Sequence, residues 1–182
     1  RELHMTKAEL ASRTAGLVRF GAAAAVVGGA LRIVSTFIPY EANSAGLEAL
    51  YCIIDVGLLF GLIAVYIANA EAVGMAGLAA FFVGMTGVAS IVGPDSTAFG
   101  VDFYRVGALA FVTGLAGLSV QLLRARAMTL SAWLWIATFV ASLASAAVPQ
   151  AFTLAGLCIG AGYLAAGLGL MRSSAIRPLM AA

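Results

Sequence analysis

The sequence predicts an all-α, polytopic membrane bundle. Three observations carry that expectation. Of the 182 residues, 63% are hydrophobic and only 10% are charged, where a soluble domain carries about 25% charged residues. Mean hydropathy lies far above that of a soluble protein. Long apolar runs recur along the whole chain, and no connection between them can hold a soluble domain. Within hydrocarbon only a helix satisfies each segment's own backbone, so apolar runs of this length are expected to be helices.

A hydropathy window of about 19 residues places six transmembrane helices at 14–38, 46–69, 72–92, 103–123, 129–148 and 150–171. The opening "RELHM" (residues 1–5) looks like a cloning remnant, which would start the protein at Met5 and exclude His4. Residues 6–182 then form a single six-helix domain. "TKAE" (Thr6 to Glu9) has the spacing of a capping box and is expected to start a short interfacial helix. The basic start and first apolar run resemble a signal sequence, but the run is long and carries Arg32, so it reads as an uncleaved helix. The later connections are "PYEANSA", "EA", "GPDSTAFG", "RARAM" and a tight turn at Pro149. Short connections make sequential helices antiparallel neighbours.

Orientation follows from the bases. Lys7, Arg13, Arg124, Arg126, Arg172 and Arg177 all fall on one side, with both termini. Glu41, Glu48, Asp95 and Asp102 fall on the other, with Arg105 as the nearby base, and Glu71 is the exception to the pattern. The positive-inside rule then puts both termini in the cytoplasm. The net charge of +2 gives no reason to expect a nucleic-acid partner. Trp133 and Trp135, near the inner end of the fifth span, read as interfacial anchors. Cys52 and Cys158, both in apolar runs, read as buried thiols and not as a disulfide.

Two features bear on assembly. "RFGAAAAVVGGA" (19–30) aligns with "RVGALAFVTGLA" (105–116), matching Arg19 to Arg105 and Gly28 to Gly114. "AGL" recurs at 76–78 and 155–157, in the third and sixth spans. Together they suggest a 3+3 inverted repeat of the kind found in carriers, against chance alignment of Gly/Ala-rich helices. Gly57 with Gly61, and Gly156 with Gly160, form GxxxG pairs that permit close helix contact, within one chain or in a homo-oligomer.

Several chemistries lack their residues. No histidine or lysine lies in a span, which argues against histidine-bound haem or metal and against a retinal Schiff base. There is no Walker-type phosphate loop, and neither cysteine has a histidine partner. No cofactor is expected. What remains is charge inside lipid. Arg32 and Asp55 lie well within neighbouring antiparallel spans, where either alone facing lipid would cost about 3 kcal/mol. They are therefore expected to face each other. Glu48 and Asp55 are seven apart and share a helix face, with Tyr51 and Cys52 between them. Asp102 and Arg105 begin the fourth span beside Tyr104. The sharp expectation is an outward-opening polar cavity lined by Arg32, Glu48, Tyr51, Asp55 and Arg105. The plain alternative is a structural Arg32–Asp55 pair, with Glu48, Asp102 and Arg105 as ordinary charges at helix ends.

"RTAGLVRFGAAAAVVGG" followed by "LEALYCIIDVGLLFGLIAVY" resembles the opening of bacterial six-helix membrane proteins of the uncharacterised DUF4386 type. Arg13, Gly16 and Asp55 match its R-x-A-G start and its acid in the second span. The likeness covers about two thirds of the chain. It implies a six-helix fold in a bacterial plasma membrane and carries no activity. The first functional expectation is small-molecule binding or transport, with membrane lipid as the surroundings. A structural or interaction protein, assembling through its Gly/Ala faces, is the second. A membrane enzyme on a lipid-like substrate is the third, weakened because only carboxylates are available as general bases.

Overall fold

The computed structural model describes residues 7–39, 41, 44–92, 97, 98 and 100–176. Residues 1–5, Thr6 of the expected capping box, and the charges Asp95 and Arg177 lie outside the described residues. The chain forms α1 (Lys7–Ser35), α2 (Ala45–Ile91), α3 (Phe103–Arg124), α4 (Thr129–Ala144) and α5 (Gln150–Ile176). A two-residue antiparallel ribbon, β1 (Thr97–Ala98) and β2 (Val101–Asp102), precedes α3.

α1, α2, α3 and α5 are each long and apolar enough to cross a membrane, and the chain is a membrane protein in that general sense. α4 has 16 residues, short of the about 20 that span hydrocarbon. The expected six spanning helices are thus corrected to five helices. One reason is Pro149, which disfavours helical backbone in the residue before it; α4 ends at Ala144 and the chain turns through 145–147. The other is α2, which runs 47 residues and absorbs the second and third expected spans. The expected break at Glu71–Ala72 stays helical.

α2 is nevertheless not a straight rod. Gly74 has φ 60° and ψ −161°, a conformation open almost only to glycine. Tyr66 and Phe81 stack with ring centroids 4.3 Å apart. On a straight helix they would be separated by roughly 22 Å. Leu62 likewise lies against Gly84. α2 therefore folds back at Gly74 into two antiparallel arms, 45–73 and 75–91.

The helices form a closed ring: α1 packs on α2, α2 on α3, α3 on α4, α4 on α5, and α5 returns to α1. Along the closing seam, Thr36 meets Gly156, Gly29 meets Gly160 and Ala22 meets Gly167, so α1 and α5 run antiparallel. α1 also runs antiparallel to the first arm, with Gly21 against Ala64 and Gly28 against Gly57. These contacts assign the GxxxG pairs. Gly57, Gly61 and Gly160 pack against α1 of the same chain, and Gly156 against Thr36 just beyond its end. The inverted repeat finds no support. Gly28 faces the element that follows it, whereas its aligned partner Gly114 faces Gly84, on the element before it.

Most helices are apolar all round, so polarity does not separate their inner and outer faces. Size does. Large residues such as Leu17, Phe20, Phe82, Leu109, Val140 and Phe152 are exposed and form the lipid-facing surface. Glycine and alanine fill the seams between helices, as close packing in lipid requires. At the centre sits Tyr163 of α5, fully buried. It lies against Gly29 of α1 and Gly61 of α2, and its ring pairs with Phe111 of α3 and Trp135 of α4. All five helices meet at this side chain.

Candidate functional site

Register places Arg32 and Asp55 together. Gly28 and Gly57 touch backbone to backbone, and a methyl group on Gly57 would stand 3.0 Å from Gly28. Arg32 is one turn further along α1 than Gly28. Asp55 is half a turn back along α2 from Gly57. The two helices run in opposite directions, so both steps lead to the same level of the bundle. Both side chains are half-buried, and Arg32 is the charge whose field reaches Asp55. Yet no N···O contact within 4.0 Å joins them among the described residues. They lie at one level of the bundle without closing into a direct pair.

Local structure holds each in place. Arg32 lies in the last turn of α1, where its positive charge opposes the helix dipole. Its carbonyl oxygen accepts the Ser35 hydroxyl at 3.0 Å and the Thr36 hydroxyl at 2.8 Å, which ends the helix. Asp55 is flanked in sequence by Ile54, which is fully buried in the core.

The other expected site residues divide. Tyr51 is half-buried and packs on the core one turn from Asp55. Glu48 is exposed in the first turn of α2. Arg105 is committed elsewhere. Its side chain is 86% exposed and pairs with Asp102 at 3.0 Å. The other Asp102 oxygen accepts the Arg105 backbone N–H at 3.0 Å, capping α3. Asp102 and Arg105 thus form a helix start on the surface, worth less than about 1 kcal/mol as an ion pair. Arg105 is not part of the Arg32–Asp55 group.

Two further readings are corrected. Trp133 is 61% exposed, as a lipid-facing anchor would be, but Trp135 is fully buried. Two positions on a helix differ by about 200°, so one of the pair had to turn inward. Cys52 is exposed and Cys158 half-buried, so neither is a fully buried thiol, and both are free.

Sequence reasoning missed the polar atoms at the centre. Trp135 Nε1 and Tyr163 Oη are both buried, and neither has a hydrogen-bond partner among the described residues. Their rings lie 5.1 Å apart, tilted by 54°. The indole nitrogen sits over Gly162, where any side chain would collide with it. An orphan buried donor costs about 1–3 kcal/mol, so two of them need a reason. Helical phase could have placed Trp135 inside, but nothing in the sequence indicates an unpaired hydroxyl. Among the described residues, no three His, Cys, Asp or Glu side chains gather in a metal-binding group.

Comparison adds no relative: no protein-family model, no curated protein and no solved structure matches the chain.

Proposed function

We propose that the protein binds a small polar solute inside the bundle, at the level of Arg32 and Asp55, and that this binding serves transport. One observation carries the reading: opposite charges are held at one level, within each other's field, without direct contact. A purely structural pair gains most by closing into hydrogen-bonded contact. An open pair leaves each charge available to a third party. Arg32 would take an anionic or acceptor group, and Asp55 a cation, a proton or a donor group. Tyr163 and Trp135 add two unspent donors at the centre of the bundle, and Tyr51 extends the polar face of α2. The class of solute that fits is small and carries both donor and acceptor character.

Assembly through the Gly/Ala faces is less favoured, because the GxxxG pairs are occupied within the chain. The basic residues flanking the helices support a bacterial plasma membrane location with both termini cytoplasmic, which puts the Arg32–Asp55 level towards the outer side. Native mass spectrometry of the protein released gently from detergent tests the binding reading. A non-lipid mass retained by the wild type and missing from Asp55→Asn is expected. Protein carrying lipid alone, with wild type and Asp55→Asn responding alike to a thermal-shift screen of small polar solutes, would overturn it.

A further inference from the structure

At the opposite end of the bundle, a groove of about 280 Å³ opens between the first turn of α4 and the later part of α5. It is lined by Met128, Thr129, Leu130, Ser131, Ala165 and Gly169. We propose that this groove binds one anionic phospholipid, with the lipid phosphate at the start of α4 and an acyl chain along α5.

Unspent donors stand at the start of α4. Met128, at φ 47°, is the N-cap residue of α4, and its side chain makes no capping hydrogen bond. The first backbone bond of the helix runs from the Ala132 N–H to the Met128 carbonyl. The N–H groups of Thr129, Leu130 and Ser131 therefore have no partner within the helix. A helix start with free N–H groups and its positive dipole end suits a phosphate. A second observation points the same way. Ser131 is only 3% exposed, lines the groove, and its hydroxyl makes no hydrogen bond among the described residues. On a buried residue that lines the groove, a hydroxyl without a protein partner is a donor kept for an occupant.

Charge is arranged to match. Arg126 lies two residues before Met128 and is exposed. Arg172 is one turn beyond Gly169 on the same face of α5, and is also exposed. The acids at this end of the bundle, Glu9 and Glu71, belong to α1 and α2, and neither lines the groove. Arg126 also occupies a position where glycine is the usual choice. The Ala127 N–H bonds to the Leu122 carbonyl and the Arg126 N–H to that of Leu123, the Schellman pattern that ends α3. Arg126 is the left-handed residue of that motif, at φ 54°. Glycine would relieve the backbone there but would not carry the charge.

The groove favours a lipid over free phosphate. Its α5 side, at Ala165 and Gly169, is small and apolar, and Leu130 beside it is exposed. The start of α4 also lies at the end of a spanning bundle, the depth of lipid headgroups.

The test uses the full chain in nanodiscs of equal phosphatidylglycerol and phosphatidylcholine, with retained lipid counted by native mass spectrometry. One phosphatidylglycerol retained in preference to phosphatidylcholine is expected. Retention should fall about fivefold for each of Arg126→Gln and Arg172→Gln. Arg126→Gly should lower retention equally while keeping or raising the melting temperature, which separates the lipid site from the fold. Gly169→Leu fills the groove, and no neighbour lies within 4 Å of the position its Cβ would take. It should abolish lipid retention while leaving any binding of inorganic phosphate unchanged. Equal retention of the two lipids, or full retention by Gly169→Leu, would overturn the proposal.

Discussion

Replacing Tyr163 by phenylalanine removes one oxygen from the most central side chain and leaves its ring contacts in place. The hydroxyl is buried without a hydrogen-bond partner among the described residues, so the wild type bears the cost of taking it out of water. That cost is about 1–3 kcal/mol. The ring is held on all sides, by Gly29, Gly61, Phe111 and Trp135, so phenylalanine should fill the same space without repacking. Tyr163→Phe is therefore expected to be more stable than the wild type. At about 2–4 °C per kcal/mol for a chain of this size, its melting temperature in detergent should rise by about 2–12 °C. Fluorescence is a suitable readout, because Trp135 is in contact with the substituted ring. The same variant should bind the proposed solute less well, since a donor is gone. A lower melting temperature for Tyr163→Phe would refute the reasoning, because it would mean that the hydroxyl already has a partner worth keeping.

The glycine seams give a contrasting pair. A methyl group at Gly29 would lie 2.6 Å from the Gly160 carbonyl oxygen and 2.7 Å from the Leu164 nitrogen, both backbone atoms that no rotamer can move. Gly29→Ala should lower stability by about 1–3 kcal/mol, whereas Gly16→Ala, which meets nothing within 4 Å, should be neutral or slightly stabilising; parallel melts that rank them the other way would contradict the packing. Gly74→Ala tests the fold-back of α2. No atom lies within 4 Å of its Cβ position, so the expected loss of about 1–3 kcal/mol comes from backbone strain alone, and an unchanged melting curve would mean that the turn lies elsewhere.

These residues also show what the sequence makes legible. Hydropathy places α3 and the start of α5 within a residue, because it measures composition along the chain and both segments have polar ends. It misplaces the turn in α2 because Glu71 looks like a boundary, while the backbone needs glycine's positive φ and finds it at Gly74. It says nothing about which face of a helix turns inward, since both faces are apolar; the small residues carry that information. Arg32 and Asp55 stood out in the sequence because charge within an apolar span is rare, but the structure brings them to one level without a direct ion pair. Arg105 was misassigned because Asp102, three residues earlier, also suits a helix cap, and the cap holds both side chains. The orphan atoms of Trp135 and Tyr163 and the groove at Ser131 depend on contacts between distant helices, which no local pattern encodes.

The seam between α1 and α5 has a consequence for how the chain matures. α1 leaves the ribosome well before α5, the helix that closes against it. Until α5 is made, Gly29 has no Gly160 to rest against, and the space for Tyr163 stands open among α1, α2, α3 and α4. The helices before it can enter the bilayer in turn, but their shared centre stays unfilled until α5 is made. A chain that stops before residue 163 lacks the one side chain on which every helix converges, and should be cleared as unfinished even though most of its helices are already in the membrane.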